Sequence, residues 1–288
     1  MFPPSRFVRA EADKISIYRL PHLSPEPAQP TLIHTIPSTP SPITNLSLHP
    51  TTPDILLAST VANPVAIYDL STSATSPVLE LNTIEPKGMW SVAWSPDGKL
   101  IAGVGKSGTG YVWDARAGKD AVISKMLSLQ PSKPARIAFV GDDYIFLTSF
   151  SKTRNREYSL LRTASTLATC FAQSLDTSSG PLLPVVDQER RIIYTAGRGD
   201  MTLRQIELSG PMGFQETLHP LPHALTSSSL ALAHPASLPV MSAQIATVVM
   251  PVSDKDGDVL LPSGIRVPRR HLIDYHHDLY PEVAGTGK

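Results

Sequence analysis

The chain has one cysteine in 288 residues, Cys170, so it can form neither an internal disulfide nor a thiolate metal cage, and its chemistry fits a reducing compartment. Charge is scarce as well. Asp, Glu, Lys and Arg make up 17% of the chain against about 25% in an average globular protein, which argues against long surface helices and coiled coil and favours a monomer. The 25 basic and 25 acidic residues cancel, so the basic excess of a dedicated nucleic-acid binder is missing. No apolar run approaches the ~20 residues of a membrane span, and the opening MFPPSRFVRAEADK lacks the apolar core of a signal peptide. The expectation is a soluble, cytoplasmic chain, in which the sequon Asn45-Leu46-Ser47 has no glycosylation role.

Proline is the exception to this sparseness, with 28 residues, and it belongs to a repeating pattern. Residues 41–70 hold two apolar runs separated by turn residues and end in an aromatic-Asp pair. The pattern recurs at 90–116, where Ser95-Pro96 follows His49-Pro50 by 46 residues and Trp113-Asp114 follows Tyr68-Asp69 by 45. Residues 135–161 place Phe139 45 residues after Trp94, and residues 182–208 place Val186 a further 47 along. Short β-branched and aromatic strands at this period match a WD-type propeller blade. Residues 15–20 (ISIYRL) read as the last strand of another blade, and 228–268 supply one more. The Pro/Ser-rich stretch 21–42 reads as a loop, carrying Ser24-Pro25, Thr39-Pro40 and Ser41-Pro42. The sum is an all-β WD40-type β-propeller with about five blades encoded.

Several motifs resemble sites but lack the necessary context. Gly103-Val104-Gly105-Lys106-Ser107-Gly108 has the letters of a dinucleotide or phosphate loop, yet a β-rich Tyr-Val-Trp run follows where a helix should begin. It predicts a hairpin turn between the third and fourth strands of a blade, with Gly108 and Gly110 at positive φ. Arg198-Gly199-Asp200 spells an integrin-type tripeptide at a position where a blade needs a turn. The His and Asp residues of 271–278 follow no metal-ligand spacing. No nucleophile elbow, Cys/His pair or carboxylate pair with a role is present, so no enzyme, cofactor or metal is expected.

Charge distribution says more. Residues 99–162 hold 11 basic and 5 acidic side chains, a net of +6 between two acidic segments. Lys152, Arg154 and Arg156 cluster in the hairpin expected before the last strand of a blade, a patch suited to steering an acidic partner.

At 175–208 the sequence becomes more specific. Leu175-Asp176-Thr177-Ser178-Ser179-Gly180, Leu182-Leu183-Pro184 and Gly197-Arg198-Gly199-Asp200 together resemble the coronins. So do Thr148-Ser149-Phe150-Ser151-Lys152 with Arg156, the tail Val267-Pro268-Arg269-Arg270 with Asp278-Leu279-Tyr280-Pro281-Glu282-Val283-Ala284-Gly285, and the opening Ser5-Arg6-Phe7-Val8-Arg9-Ala10. The resemblance covers most of residues 41–285. It divides the chain into a coronin-like start (1–14), a partial propeller (15–268) and a C-terminal extension (269–288). Coronin propellers have seven blades, so about two early ones would be missing after Ala10.

The resemblance implies a non-catalytic protein of the actin cytoskeleton with filamentous actin as partner. Arg6, Arg9, Lys152, Arg154 and Arg156 are the candidate contacts. The alternative it leaves open is a WD-repeat scaffold for other cytoskeletal or trafficking proteins, in membrane traffic or ubiquitin-ligase assembly, without actin binding.

Overall fold

The computed structural model describes residues 6–11, 14–19, 29–37, 41–61, 65–72, 75–81, 85, 87–118, 122–126, 129, 133–163, 168–208, 214–226, 229–254, 257–269 and 276–280. Six antiparallel sheets follow one another along these residues. The first contains β1 (Arg6–Glu11), β2 (Lys14–Arg19) and β3 (Thr31–Pro37). The second contains β4 (Ile43–Leu48), β5 (Ile55–Thr60), β6 (Val65–Asp69) and β7 (Leu79–Leu81). The third contains β8 (Met89–Trp94), β9 (Leu100–Gly105), β10 (Gly110–Asp114) and β11 (Val122–Met126). The fourth contains β12 (Arg136–Val140), β13 (Tyr144–Phe150), β14 (Arg156–Arg162) and β15 (Thr169–Ser174). The fifth contains β16 (Leu182–Asp187), β17 (Ile192–Gly197), β18 (Thr202–Leu208) and β19 (Phe214–Pro220). The sixth contains β20 (Ala231–Leu232), β21 (Gln244–Asp254) and β22 (Gly257–Arg266).

The blade count is therefore six, not about five. The additional blade comes from the first 37 residues. ISIYRL is the middle strand of the first sheet rather than a last strand, because Arg6–Glu11 pairs with it on one side and Thr31–Pro37 on the other. β3 lies within the stretch read as a loop. It is a sheet edge, where Pro37 at its end costs no central ladder bond, and its Leu32 and Ile33 are exposed. Ser24-Pro25 and Thr39-Pro40 lie outside the described residues, and Ser41 is buried.

The repeat is a gradient of burial across each four-stranded sheet. Second strands such as β9 and β17 are almost wholly buried, which is why their sequences are continuous apolar runs. The outer strands β15 and β19 are mostly exposed and polar. The third and fourth sheets each carry their glycine-rich or basic turn between the second and third strands, one hairpin earlier than expected. In the third sheet only Gly108 of the two predicted glycines has positive φ.

The chain divides into two compact units, residues 1–145 with 162–168, and residues 146–161 with 169–288. In the first, the opening strands β4, β8 and β12 lie side by side. Turns 45 to 49 residues apart bond to one another there. His49 packs edge-on against Trp94 at 4.6 Å, and its Nε2–H donates to the Gly98 carbonyl at 3.0 Å. Gly98 has φ +74, and a Cβ on it would sit 2.1 Å from the His49 ring, so this turn requires glycine. The Asp97 amide donates in turn to Asp142 Oδ1 at 3.2 Å. The core of this unit gathers Leu57, Val65, Ile101 and Trp113. That of the second gathers Leu183, Tyr194, Leu203, Val248 and Met250.

Candidate functional site

The motif resembling a phosphate loop holds an anion from its own chain. In the β9–β10 turn, Ser107 donates its amide (3.2 Å) and its hydroxyl to Glu85, and the Tyr111 hydroxyl donates to the same carboxylate at 2.9 Å. Burial, reinforced by that carboxylate, pushes the Tyr111 phenol up to about 12. The donors a phosphate would need are occupied.

The five basic candidates are distributed over both units. Arg6 and Arg9 lie in β1 of the first, where Arg9 is exposed and its Nε is 3.9 Å from Glu11. Lys152, Arg154 and Arg156 lie in the second, but they have different roles. Lys152 and Arg154 project from the turn between β13 and β14 and are exposed. Arg156, two residues on, is only 3% exposed. Its Nε and Nη2 form a two-pronged pair with Asp176, both bonds 2.6 Å, and its Nη1 donates to the two Asp200 oxygens at 3.0 and 2.9 Å. A guanidinium held this way faces into the protein, so Arg156 organises the basic turn and does not display charge on it.

The node explains the motif at 175–200. Asp176 sits in the link before the fifth sheet and Asp200 in the β17–β18 turn. Asp200 Oδ2 also accepts the Gly197 amide at 2.7 Å, closing that turn around Gly199 at φ +88. A Cβ on Gly197 would lie 2.3 Å from Arg156 Nη1, so glycine here makes room for the guanidinium. The network extends outward. Arg204 pairs with Glu216 and approaches Asp176 at 4.0 Å, and the Tyr158 hydroxyl donates to Glu216 at 3.3 Å. Arg156 holds the Asp176 carboxyl below the ordinary carboxylate range, against partial burial. Burial next to Glu216 raises the Tyr158 phenol.

The Arg-Gly-Asp tripeptide is thus a hairpin turn whose Asp points inward, and it leaves Arg198 exposed. Arg198 does not stand among the five basic candidates, yet its spacing matches theirs: it follows Lys152 by 46 residues, as Lys152 follows Lys106, so each of three consecutive blades opens the same turn with a cation. Lys152, Arg154 and Arg198 have no ion-pair partner among the described residues. Arg156 bridges the turns that carry them.

At the other end of β17 the chain's tail is anchored. Arg190 Nε donates to the Leu279 carbonyl at 3.0 Å, and the Tyr280 hydroxyl donates to the carbonyls of Val240 and Gln244 at 2.9 and 3.2 Å. Two cavities of about 330 and 500 Å³ adjoin Glu189 and Arg190 there. Residues 271–275 of the His/Asp-rich stretch lie outside the described residues. No group of three or more potential metal ligands occurs among the described residues. No helix among them is long and apolar enough to cross a membrane.

No family model matches the chain. Among curated proteins it is similar to Coronin-7 of Mus musculus, 29% identical over 249 residues covering 85% of this chain and 26% of the relative. Coronin-7 of Homo sapiens is 29% identical over 248 residues, 85% of this chain and 25% of the relative. Coronin-7 of Bos taurus is 30% identical over 244 residues, 83% and 25%. The chain thus spans about a quarter of the length of these relatives. Among solved structures, the WD40 domain from Toxoplasma gondii coronin superposes with a TM-score of 0.84 at 21% identity, covering 95% of this chain and 69% of that one. That likeness establishes the propeller fold. The sequence relatives named above are all coronins, and the similarity to them runs over 83–85% of this chain.

Proposed function

We propose that the chain is a non-catalytic, cytoplasmic actin-filament-binding protein, acting at the actin cytoskeleton through the basic turns of its propeller. The observation that carries this reading is the set of exposed cations without an ion-pair partner among the described residues, Lys152, Arg154 and Arg198, on two turns joined by the buried Arg156. Filamentous actin is acidic, and the +6 segment 99–162 provides the complementary sign. Exposed charges are screened over ~8–10 Å at physiological ionic strength, so binding should weaken with added salt. Cosedimentation with filaments across a salt series tests this, and failure to pellet at low salt contradicts it.

A second reading, a scaffold for trafficking or other cytoskeletal proteins, rests on the exposed Val259 and Leu260 of the edge strand β22. An unpaired apolar strand edge can accept a partner strand. Capture that survives high salt and reversal of the basic turns favours it.

A further inference from the structure

The β13–β14 turn contains two hydroxyls with different roles. Ser151 is half-buried. Its amide donates to the Asn155 carbonyl at 2.8 Å, and its Oγ accepts the Asn155 amide at 3.1 Å. Thr153 is exposed at the apex, and its Oγ1 lies 2.8 Å from Ser151 Oγ. Lys152 and Arg154 flank it on either side. Arg154 has φ 67, a left-handed conformation that costs a non-glycine residue about 1–3 kcal/mol. The turn is therefore partly strained, and opening it into the extended form that a modifying enzyme grips recovers some of that cost.

We propose that Thr153 is a phosphorylation site, modified by a protein kinase that reads basic side chains on both sides of its target, and that the phosphate switches off the basic turn. The idea rests on the turn being a partner-binding surface, as proposed above. In the step itself, Thr153 Oγ1 attacks the γ-phosphorus of ATP and a new O–P bond forms. The bond from that phosphorus to the β–γ bridging oxygen breaks, ADP leaves with the electron pair, and the hydroxyl proton passes to a carboxylate of the kinase. The product carries about −1.5 to −2 charge at pH 7. It lies between two cations that have no other ion-pair partner among the described residues, and its oxygens can take both in charge-assisted hydrogen bonds. Arg156 is already committed to Asp176 and Asp200, so it cannot restore the lost charge. Ser151 shares the basic surroundings, but its Oγ holds the turn together and is not presented.

The test treats the folded full chain with ATP and a basophilic Ser/Thr kinase catalytic domain. Mass spectrometry locates the phosphate, and retention on a heparin column reads the charge of the surface. The expected result is phosphate at Thr153 and not at Ser151, with retention at fixed salt reduced about five- to tenfold, the equivalent of two lost surface ion pairs. Thr153→Val should block the modification and keep the unmodified retention, while Thr153→Glu should reproduce part of the reduction. Phosphate appearing at Thr153 only after denaturation, or a phosphorylated chain retained like the unmodified one, overturns the proposal. Neither readout uses actin. A chain that takes the phosphate and loses retention but never pellets with filaments contradicts the actin reading and leaves this one standing.

Discussion

The guanidinium of Arg156, in β14 of the fourth sheet, donates Nη1 to both carboxylate oxygens of Asp200, in the β17–β18 turn of the fifth, at 3.0 and 2.9 Å. It holds Asp176 through its other two nitrogens. Removing it leaves Asp200, 13% exposed, without its cation. Breaking a buried pair from one side costs about 3–5 kcal/mol. The lower end applies because Asp176 is 41% exposed and water can take over that partner. Arg156→Ala should therefore lose about 3 kcal/mol in chemical denaturation, and a loss within ~0.5 kcal/mol, as at an ordinary surface position, would show the node to be dispensable. Lys152→Glu and Arg154→Glu should fall in that surface class.

Gly197 and Arg156 should be energetically coupled. Gly197→Ala sets a methyl 2.3 Å from Nη1, so it should destabilise the wild type by displacing the guanidinium. In an Arg156→Ala background the tightest contact is removed, leaving the Gly180 and Pro181 carbonyls at 3.1 and 3.2 Å, and the penalty should shrink. A double-mutant cycle with an interaction energy above ~0.5 kcal/mol meets the expectation, and strict additivity does not.

Acid should destabilise the chain in two stages. Burial lowers the pKa of His219, whose Nε2–H donates to Gln205 at 2.8 Å. Below its ordinary 6.5 the unfolded chain therefore takes up a proton that the folded one resists, and stability falls as pH drops through that value. The carboxylates act lower. Asp97 sits at about 2, its burial more than offset by bonds from Lys99 and Ser95, and Asp176 is held down by Arg156. A depressed carboxylate contributes stability above its unfolded value near 3.8 and loses it as pH falls towards the folded one. Denaturation midpoints against pH should show a shoulder near 6.5 that His219→Gln removes, followed by a steeper fall below pH 4.

The blades were legible because their burial gradient writes itself into the sequence. The second strands are apolar runs, and the pairs His49 and Ser95, Tyr68 and Trp113, and Trp94 and Phe139 recur at the blade spacing. The first blade was missed because β3 is an edge strand flanked by prolines, and an edge need not alternate. Arg156 looked like its neighbours Lys152 and Arg154. Only folding brings in Asp176 and Asp200, 20 and 44 residues away, and turns an exposed-looking cation into a buried one. Arg198 stands inside an Arg-Gly-Asp tripeptide, but its 46-residue spacing from Lys152 marks it as the equivalent position.

The most direct test is cosedimentation with actin filaments at low ionic strength, comparing the wild type with the triple variant Lys152→Glu, Arg154→Glu and Arg198→Glu, both verified as folded by thermal melt. The wild type should pellet with filaments and the variant should remain largely in the supernatant. Equal pelleting of the two, or no pelleting of either, would contradict the assignment of these turns as an actin-binding surface.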